Sequence, residues 1–128
     1  MSSHVVDASA LLALLRREAG AEVVAAALAG GAAISAVNLS EVVAKLSEAG
    51  VVEEEVRTIL DSLSLEVVDF DANHAYHAGL LRRLTRHAGL SLGDRACLAL
   101  AQRLGLPALT ADRAWGDLQL GIAIQLIC

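Results

Sequence analysis

Four carboxylates stand out by where the chain places them: Asp7, Glu41, Asp94 and Asp112. Asp7 ends the short β-branched run Val5-Val6 and is followed at once by the apolar helical run Ala8 to Leu15. Glu41 lies in the first turn of the helix after a short apolar strand, Asp94 opens an apolar helix, and Asp112 follows a further strand. Each has an ordinary explanation. An acid at a helix start caps free N–H groups, and Asn38-x-x-Glu41 and Ser91-x-x-Asp94 have the spacing of a capping box. A cap contributes about 1 kcal/mol and the helix dipole about 0.3 to 1 kcal/mol. If the four acids meet, however, each pair at about 4 Å repels by about 4 kcal/mol at an effective dielectric of about 20. That exceeds what capping returns, so such a cluster must hold protons at raised pKa or bind cations. Hard oxygen ligands with no cysteine or histidine spacing beside them favour Mg²⁺ or Mn²⁺ over zinc.

Whether they meet depends on the elements that carry them, and the chain alternates strand and helix. The first strand and helix are joined by about one residue, the opening step of a parallel sheet. Ala21 to Leu28 reads as a second helix stopped by Gly30-Gly31, and Ala32 to Ala36 as a second strand. Asn38 is placed to cap a third helix whose Leu39, Val42, Val43 and Leu46 fall on one face, with Gly50 ending it. Val52, Val56, Ile59, Leu60 and Leu63 stripe a fourth helix with Glu53, Glu54 and Glu55 in its first turn. Leu65 to Phe70 is a third strand and Ala72 to His87 a fifth helix. Ser91 caps a sixth, whose Ala96 to Ala101 is apolar all round and therefore expected inside. Pro107 to Thr110, a turn at Asp112 to Trp115 and Ile122 to Ile127 complete an α/β chain with a parallel, Rossmann-like sheet of four to five strands flanked by helices. Helix starts that follow parallel strands all lie on one edge of the sheet, the edge where ligands bind.

Composition sets the limits. At 128 residues the chain reads as one domain spanning 1–128, large enough to bury a core without staples. Hydrophobic content of 55% with 2% aromatics describes an aliphatic core. The net charge of −5 argues against a polyanion binder that works through a basic surface. It leaves nucleic acid open as a substrate, because acids clustered in one cleft and neutralised by metal give the same total. Cys97 and Cys128 have no framework spacing, which fits a reducing cytoplasm, and residues 1–7 have no secretory pattern. Val23 to Ser40 carries no charge, but Gly30-Gly31, Ser35, Asn38 and Ser40 break it into separate elements, so no membrane span is expected.

Ten residues are basic and Lys45 is the single lysine, which leaves nine arginines. Arg82 with Arg86, and Arg83 with His87, are i, i+4 pairs that form a basic stripe on the fifth helix; Arg95 and Arg113 directly follow two of the acids. These are candidates for holding a substrate, against the plain alternative of solvated surface charge. His4, His74, His77 and His87 share no spacing with the acids and read as surface or core-edge groups. Cys97 reads as a small buried hydrophobe and Trp115 as a packing anchor.

Four segments together resemble PIN-domain ribonucleases, and more narrowly the VapC toxins of bacterial toxin–antitoxin pairs. They are Val-Val-Asp-Ala-Ser-Ala-Leu-Leu-Ala-Leu at 5–14, Ala-Val-Asn-Leu-Ser-Glu-Val at 36–42, Gly-Leu-Ser-Leu-Gly-Asp-Arg-Ala-Cys-Leu-Ala-Leu-Ala at 89–101 and Leu-Thr-Ala-Asp-Arg-Ala-Trp at 109–115. No single segment is specific; the ordered set, running nearly the whole chain, is. The resemblance implies a parallel sheet, an acidic quartet binding Mg²⁺ or Mn²⁺, and endonucleolytic cleavage of RNA. Asp7, Glu41, Asp94 and Asp112 match the quartet, Ser9 and Thr110 the hydroxyl positions beside it, and Asp117 is an additional acid. It also implies a homodimer silenced by a cognate antitoxin protein. The apolar helices Leu11 to Leu15 and Val23 to Leu28 offer surface for the antitoxin's groove, core packing being the alternative.

The chemistry suits these residues. Hydroxide attack on a phosphodiester needs cations that lower the pKa of a bound water and neutralise the pentavalent oxygens, with one ion or two about 3.5 to 4 Å apart. Asp7, Asp94 and Asp112 are assigned to ligation, directly or through water, Glu41 to ligation or to orienting the water, and Ser9 and Thr110 to hydrogen bonds behind the ligands. A phospho-acceptor receiver domain would need a lysine beyond the last pocket acid, where Lys45 does not lie. A haloacid-dehalogenase-like phosphatase would need an aspartate where Ser9 stands. The stronger competitor is a non-catalytic PIN-like module that binds metal or RNA.

Overall fold

The computed structural model describes residues 2–128, so Met1 alone lies outside the described residues. Five strands form one parallel sheet: β1 (His4–Val6), β2 (Ala32–Ser35), β3 (Glu66–Val68), β4 (Ala108–Thr110) and β5 (Ile124–Leu126), in the order β3-β2-β1-β4-β5. Between them run α1 (Ala8–Leu15), α2 (Ala21–Ala29), α3 (Ala36–Glu48), α4 (Glu53–Asp61), α5 (Ala72–Thr85) and α6 (Leu92–Leu104). Short 3₁₀ turns cover Arg86–Ala88 and Arg113–Asp117.

The pleat divides the core. Val6, Ile34 and Leu109 point to one face, where they pack with Leu11 of α1, Val24 of α2 and Val42 of α3. Val5, Ala33 and Ala108 point to the other, beneath Leu98 and Leu100 of α6, Leu81 of α5 and Trp115. The small side chains of Ala33 and Ala108 flank Val5 in register. They let α6 settle close to the sheet, and its Ala96 to Ala101 are all buried, as an all-round apolar helix requires. Burying each large aliphatic side chain contributes roughly 1.5 to 3 kcal/mol. The chain end is fastened to the same layer: Gly20 holds φ +89°, and a Cβ there would stand 2.7 Å from Ile127, which closes the first core cluster.

Several expectations shift. The strand at β2 stops at Ser35, whose Oγ accepts from the Val37 N–H at 3.3 Å and caps α3, so Asn38 is not the cap but sits inside the first turn, 1% exposed. The third strand shortens from 65–70 to Glu66–Val68, because as an edge strand it pairs on one side only and leaves Glu66 and Val67 exposed. The fifth helix ends at Thr85, before Arg86 and His87, and all four members of the basic stripe are exposed. His74 is fully buried rather than peripheral, its Nε2 2.8 Å from the Ala96 carbonyl. The apolar residues of α1 and α2 are mostly core: Leu11, Leu12, Val24 and Ala27 are buried, and Leu14, Leu15, Val23 and Leu28 pack half-buried against them. Surplus apolar surface lies instead on α5, where Tyr76, Leu80 and Leu84 are 74%, 70% and 58% exposed at successive turns. No helix among the described residues is long and apolar enough to cross a membrane.

Candidate active site

The strand order reverses its direction of growth between β1 and β4, and the carboxyl edge at such a switch point is where open α/β sheets hold ligands. Asp7 leaves β1 there and Asp112 leaves β4 beside it. Asp7 is 4% exposed and caps α1, its Oδ1 accepting from the Ala10 N–H at 2.8 Å. Ser9 Oγ lies 2.8 and 2.9 Å from the two carboxylate oxygens, and Thr110 Oγ1 donates to Oδ2 at 2.6 Å. Each hydroxyl in turn accepts a backbone N–H from the loop after β4, Ser9 from Ala111 and Thr110 from Asp112, both at 3.0 Å. With an N–H already donated to each oxygen, the hydroxyl protons are free to point at Asp7. The loop bearing Asp112 is thereby tied to Asp7 through two hydroxyls. Burial nevertheless dominates: it pushes the Asp7 carboxyl up to about 6, against the lowering by Thr110, Ala10 and Ser9, and the charge of Asp94 adds to the rise.

Glu41 is placed by a residue whose role the sequence did not disclose. Asn38, one turn earlier on α3, donates its amide nitrogen to Glu41 Oε1 and to the Gly93 carbonyl, both at 2.9 Å. The amide's two hydrogens join two acceptors on different elements, α3 and the start of α6. Gly93 is essential to that closeness, because a Cβ there would collide with the Glu41 carboxylate. The next residue, Asp94, forms a reciprocal cap with Ser91: its N–H donates to Ser91 Oγ at 3.2 Å and its Oδ2 accepts from the Ser91 N–H at 2.9 Å. Asp112 accepts the Ala114 N–H at 3.0 Å through Oδ1.

The capping roles of Asp7, Asp94 and Asp112 are therefore all present, and yet the four acids line one cavity of about 210 Å³ with Ser9, Asn38 and Lys45. The two readings coexist because a cap uses one oxygen. Asp94 Oδ1, Asp112 Oδ2 and Glu41 Oε2 have no hydrogen-bond partner among the described residues. Cys97, buried on α6 beneath the site, registers the convergence: its thiol is pushed up first by burial, then by the charges of Asp7, Asp94 and Glu41. Among the described residues no group of three or more acidic, histidine or cysteine side chains is spaced, as it stands, to hold a metal ion. The oxygen-only donors and the cavity's volume fit a hydrated divalent ion, since Mg²⁺ keeps several waters and each water takes about 30 Å³.

Other expected residues lie elsewhere. Arg95 is half-buried and donates to the Ala78 carbonyl at 3.0 Å, bridging α6 to α5. Arg82, Arg86 and Arg113 are exposed, Asp117 is exposed at the end of its 3₁₀ turn, and none of these five lines the cavity. Asn38, Gly93 and Lys45 were missed. The signal was Asn38-x-x-Glu41-x-x-x-Lys45, three polar side chains on one helix face, hidden by the expectation of a cap at Asn38.

No curated protein matches the sequence. Solved structures do match its fold. The DNA-bound VapBC complex from Salmonella typhimurium contains a chain 21% identical, with both chains covered over 100% and a TM-score of 0.75. A toxin–antitoxin complex from Klebsiella pneumoniae matches at 21% identity, 98% coverage of each chain and TM-score 0.74. VapBC-1 from nontypeable Haemophilus influenzae matches at 17% identity, 97% coverage of each and TM-score 0.72. The family profile of the PIN domain matches residues 4–119, a span that holds all five expected acids, and the chain belongs to the PIN domain family.

Proposed function

We propose that this protein is a VapC-like toxin, an endoribonuclease that cleaves RNA phosphodiesters with a water activated by Mg²⁺ or Mn²⁺ held at Asp7, Glu41, Asp94 and Asp112. The observation that carries this reading is that all four carboxylates, distributed over four elements, line one cavity at the sheet's switch point. When bound, the divalent ion lowers the pKa of a water and neutralises the phosphate oxygens. The chain's own groups then have distinct tasks. Asp94 and Asp112 each present an oxygen not used in capping. Asp7, anchored by two hydroxyls, is the fixed member. Glu41, held by Asn38 at one oxygen, turns the other to a ligand or to the attacking water's proton. Ser9 and Thr110 orient Asp7 and stay out of the chemistry.

The named structural neighbours are toxin–antitoxin complexes, which supports a cognate antitoxin as the partner that silences this chain. A homodimer would find its apolar face on α5, at Tyr76, Leu80 and Leu84. The proposed place of action is the cytoplasm, where a toxin that cleaves RNA meets its substrate. One observation favours a second reading, a non-catalytic module that binds metal or RNA: three of the acids serve as caps, and among the described residues no three acidic, histidine or cysteine side chains are spaced, as they stand, to hold a metal ion.

The deciding experiment compares cleavage of single-stranded and looped RNA by wild type and Asp94→Asn, with Mg²⁺ or Mn²⁺ and with EDTA. Cleavage by wild type with metal, its loss in the folded variant and its loss in EDTA are expected. Equal cleavage in all arms would sink the metal mechanism, and metal-dependent RNA binding without cleavage would establish the binding module.

A further inference from the structure

We infer that Lys45 is the phosphate anchor of this cavity, its ammonium seated on a non-bridging oxygen of the RNA backbone. The inference rests on the nuclease reading and adds the residue that receives the substrate. Lys45 is the chain's single lysine, and it lies one turn beyond Glu41 on the face of α3 that also carries Asn38. It lines the cavity with the four acids, and no arginine does. A cavity of carboxylates therefore has one cationic side chain.

That cation is unpaired. The ion pairs among the described residues are Arg57–Glu53 at 2.9 Å and Arg103–Asp71 at 4.0 Å, and neither includes Lys45. The absence is informative, because glutamate four residues before lysine is the favoured order for a helical ion pair. Glu41 is diverted: Asn38 holds its Oε1, and its carboxylate packs against Gly93 on α6. Lys45 is exposed, with its long stem free to reach over the cavity. An all-acid pocket repels a polyanion. Once the acids are neutralised by cations, the ammonium is the remaining charge and its natural partner is a phosphate oxygen. Lysine suits the task, since a compact point charge with three rotatable donors follows a phosphate whose geometry changes during reaction, where a planar guanidinium would demand one fixed orientation.

The test pairs Lys45→Met with Lys45→Arg. Thermal unfolding and circular dichroism check that both fold, and the surface position makes that the expected result. Lys45→Met should raise KM for a short RNA about tenfold or more, with kcat reduced less, and Lys45→Arg should recover part of the loss. In an Asp94→Asn background with Mg²⁺ present, fluorescence anisotropy should show Lys45→Met weakening RNA binding by a similar factor. The dependence of log K on log salt should become shallower by about 0.7, the share of one phosphate contact on a single strand. Binding of Mn²⁺ alone, measured by electron paramagnetic resonance, should not weaken in Lys45→Met, because the variant removes a positive charge from beside the acids. An unchanged KM and unchanged RNA affinity would overturn the anchor while leaving the nuclease intact. Tighter Mn²⁺ binding with unchanged RNA affinity would overturn it too, making Lys45 a counter-ion of the acids. A wild type that binds RNA through Lys45 without cutting it keeps the anchor and overturns the nuclease; one that neither binds nor cuts overturns both.

Discussion

In the metal-free protein, Asp7 should make folding less favourable as pH rises, and the size of the effect follows from its surroundings. The carboxyl is 4% exposed and burial pushes it up to about 6, whereas an unfolded chain releases the same proton near 3.8. Between those values the folded state holds the proton and the unfolded state does not, so the stability contributed by the neutral carboxyl is complete below 3.8 and is lost as pH climbs through about 6. The gap from 3.8 to about 6, at about 1.36 kcal/mol per pH unit, amounts to about 3 kcal/mol. Other carboxylates titrate in the same range, so the quantity to measure is a difference. Urea unfolding of wild type and Asp7→Asn in EDTA, at pH 4, 5, 6 and 7, should show wild type losing roughly 2 kcal/mol more than the variant between pH 4 and pH 7, the rest of the gap having been lost below pH 4. Saturating Mg²⁺ should erase most of that divergence, because a cation at Asp7 favours its ionised form and binds only the folded chain. Parallel profiles for the two proteins in EDTA would refute the reasoning, since they would mean that Asp7 is solvated and ionised throughout.

Two further substitutions probe the scaffold. Gly93→Ala would ordinarily stabilise a helix by about 1 kcal/mol; here the added Cβ meets the Glu41 carboxylate, so we expect a lower melting temperature and at least tenfold weaker RNA cleavage, checked by calorimetry and turnover. Thr110→Val deletes a buried donor to Asp7 and leaves the Asp112 N–H without its acceptor. It should cost about 1 to 3 kcal/mol and raise the Asp7 titration midpoint seen by carbon NMR, and an unmoved midpoint would show that the hydroxyl does not act on that carboxyl.

The fold was legible where local signals agreed. The run from Val5 to Leu15 announces a strand, an acid and a helix because the side-chain period changes within one residue of Asp7. Ala96 to Ala101 could only be an inner helix. What stayed hidden was decided by contacts far apart in sequence. Ser35 and Asn38 are equally good caps by residue type, and the choice turns on Gly93, 55 residues away, which takes the Asn38 amide as a hydrogen-bond partner. Arg95 directly follows an acid and so looked like a substrate contact, but the helix turns it toward the Ala78 carbonyl on α5. Lys45 stands out in the sequence only as the single lysine, because its nearness to the acids of other elements depends on the packing of α3 beside α6.

The pairing of β1 with β4 also bears on when the protein can act. Thr110 reaches Asp7 across 103 residues of chain, and the second hydroxyl route, through Ser9 and Ala111, spans 102. Contacts of such separation form late, after the local helices and the β1–β2 pair, because the intervening loop must be closed first. Until the segment around Thr110 has been made and docked, Asp7 has neither its second hydroxyl nor its neighbour Asp112. A chain three-quarters made can carry three of the four acids and still lack the site, so the proposed nuclease would be inert throughout most of its synthesis.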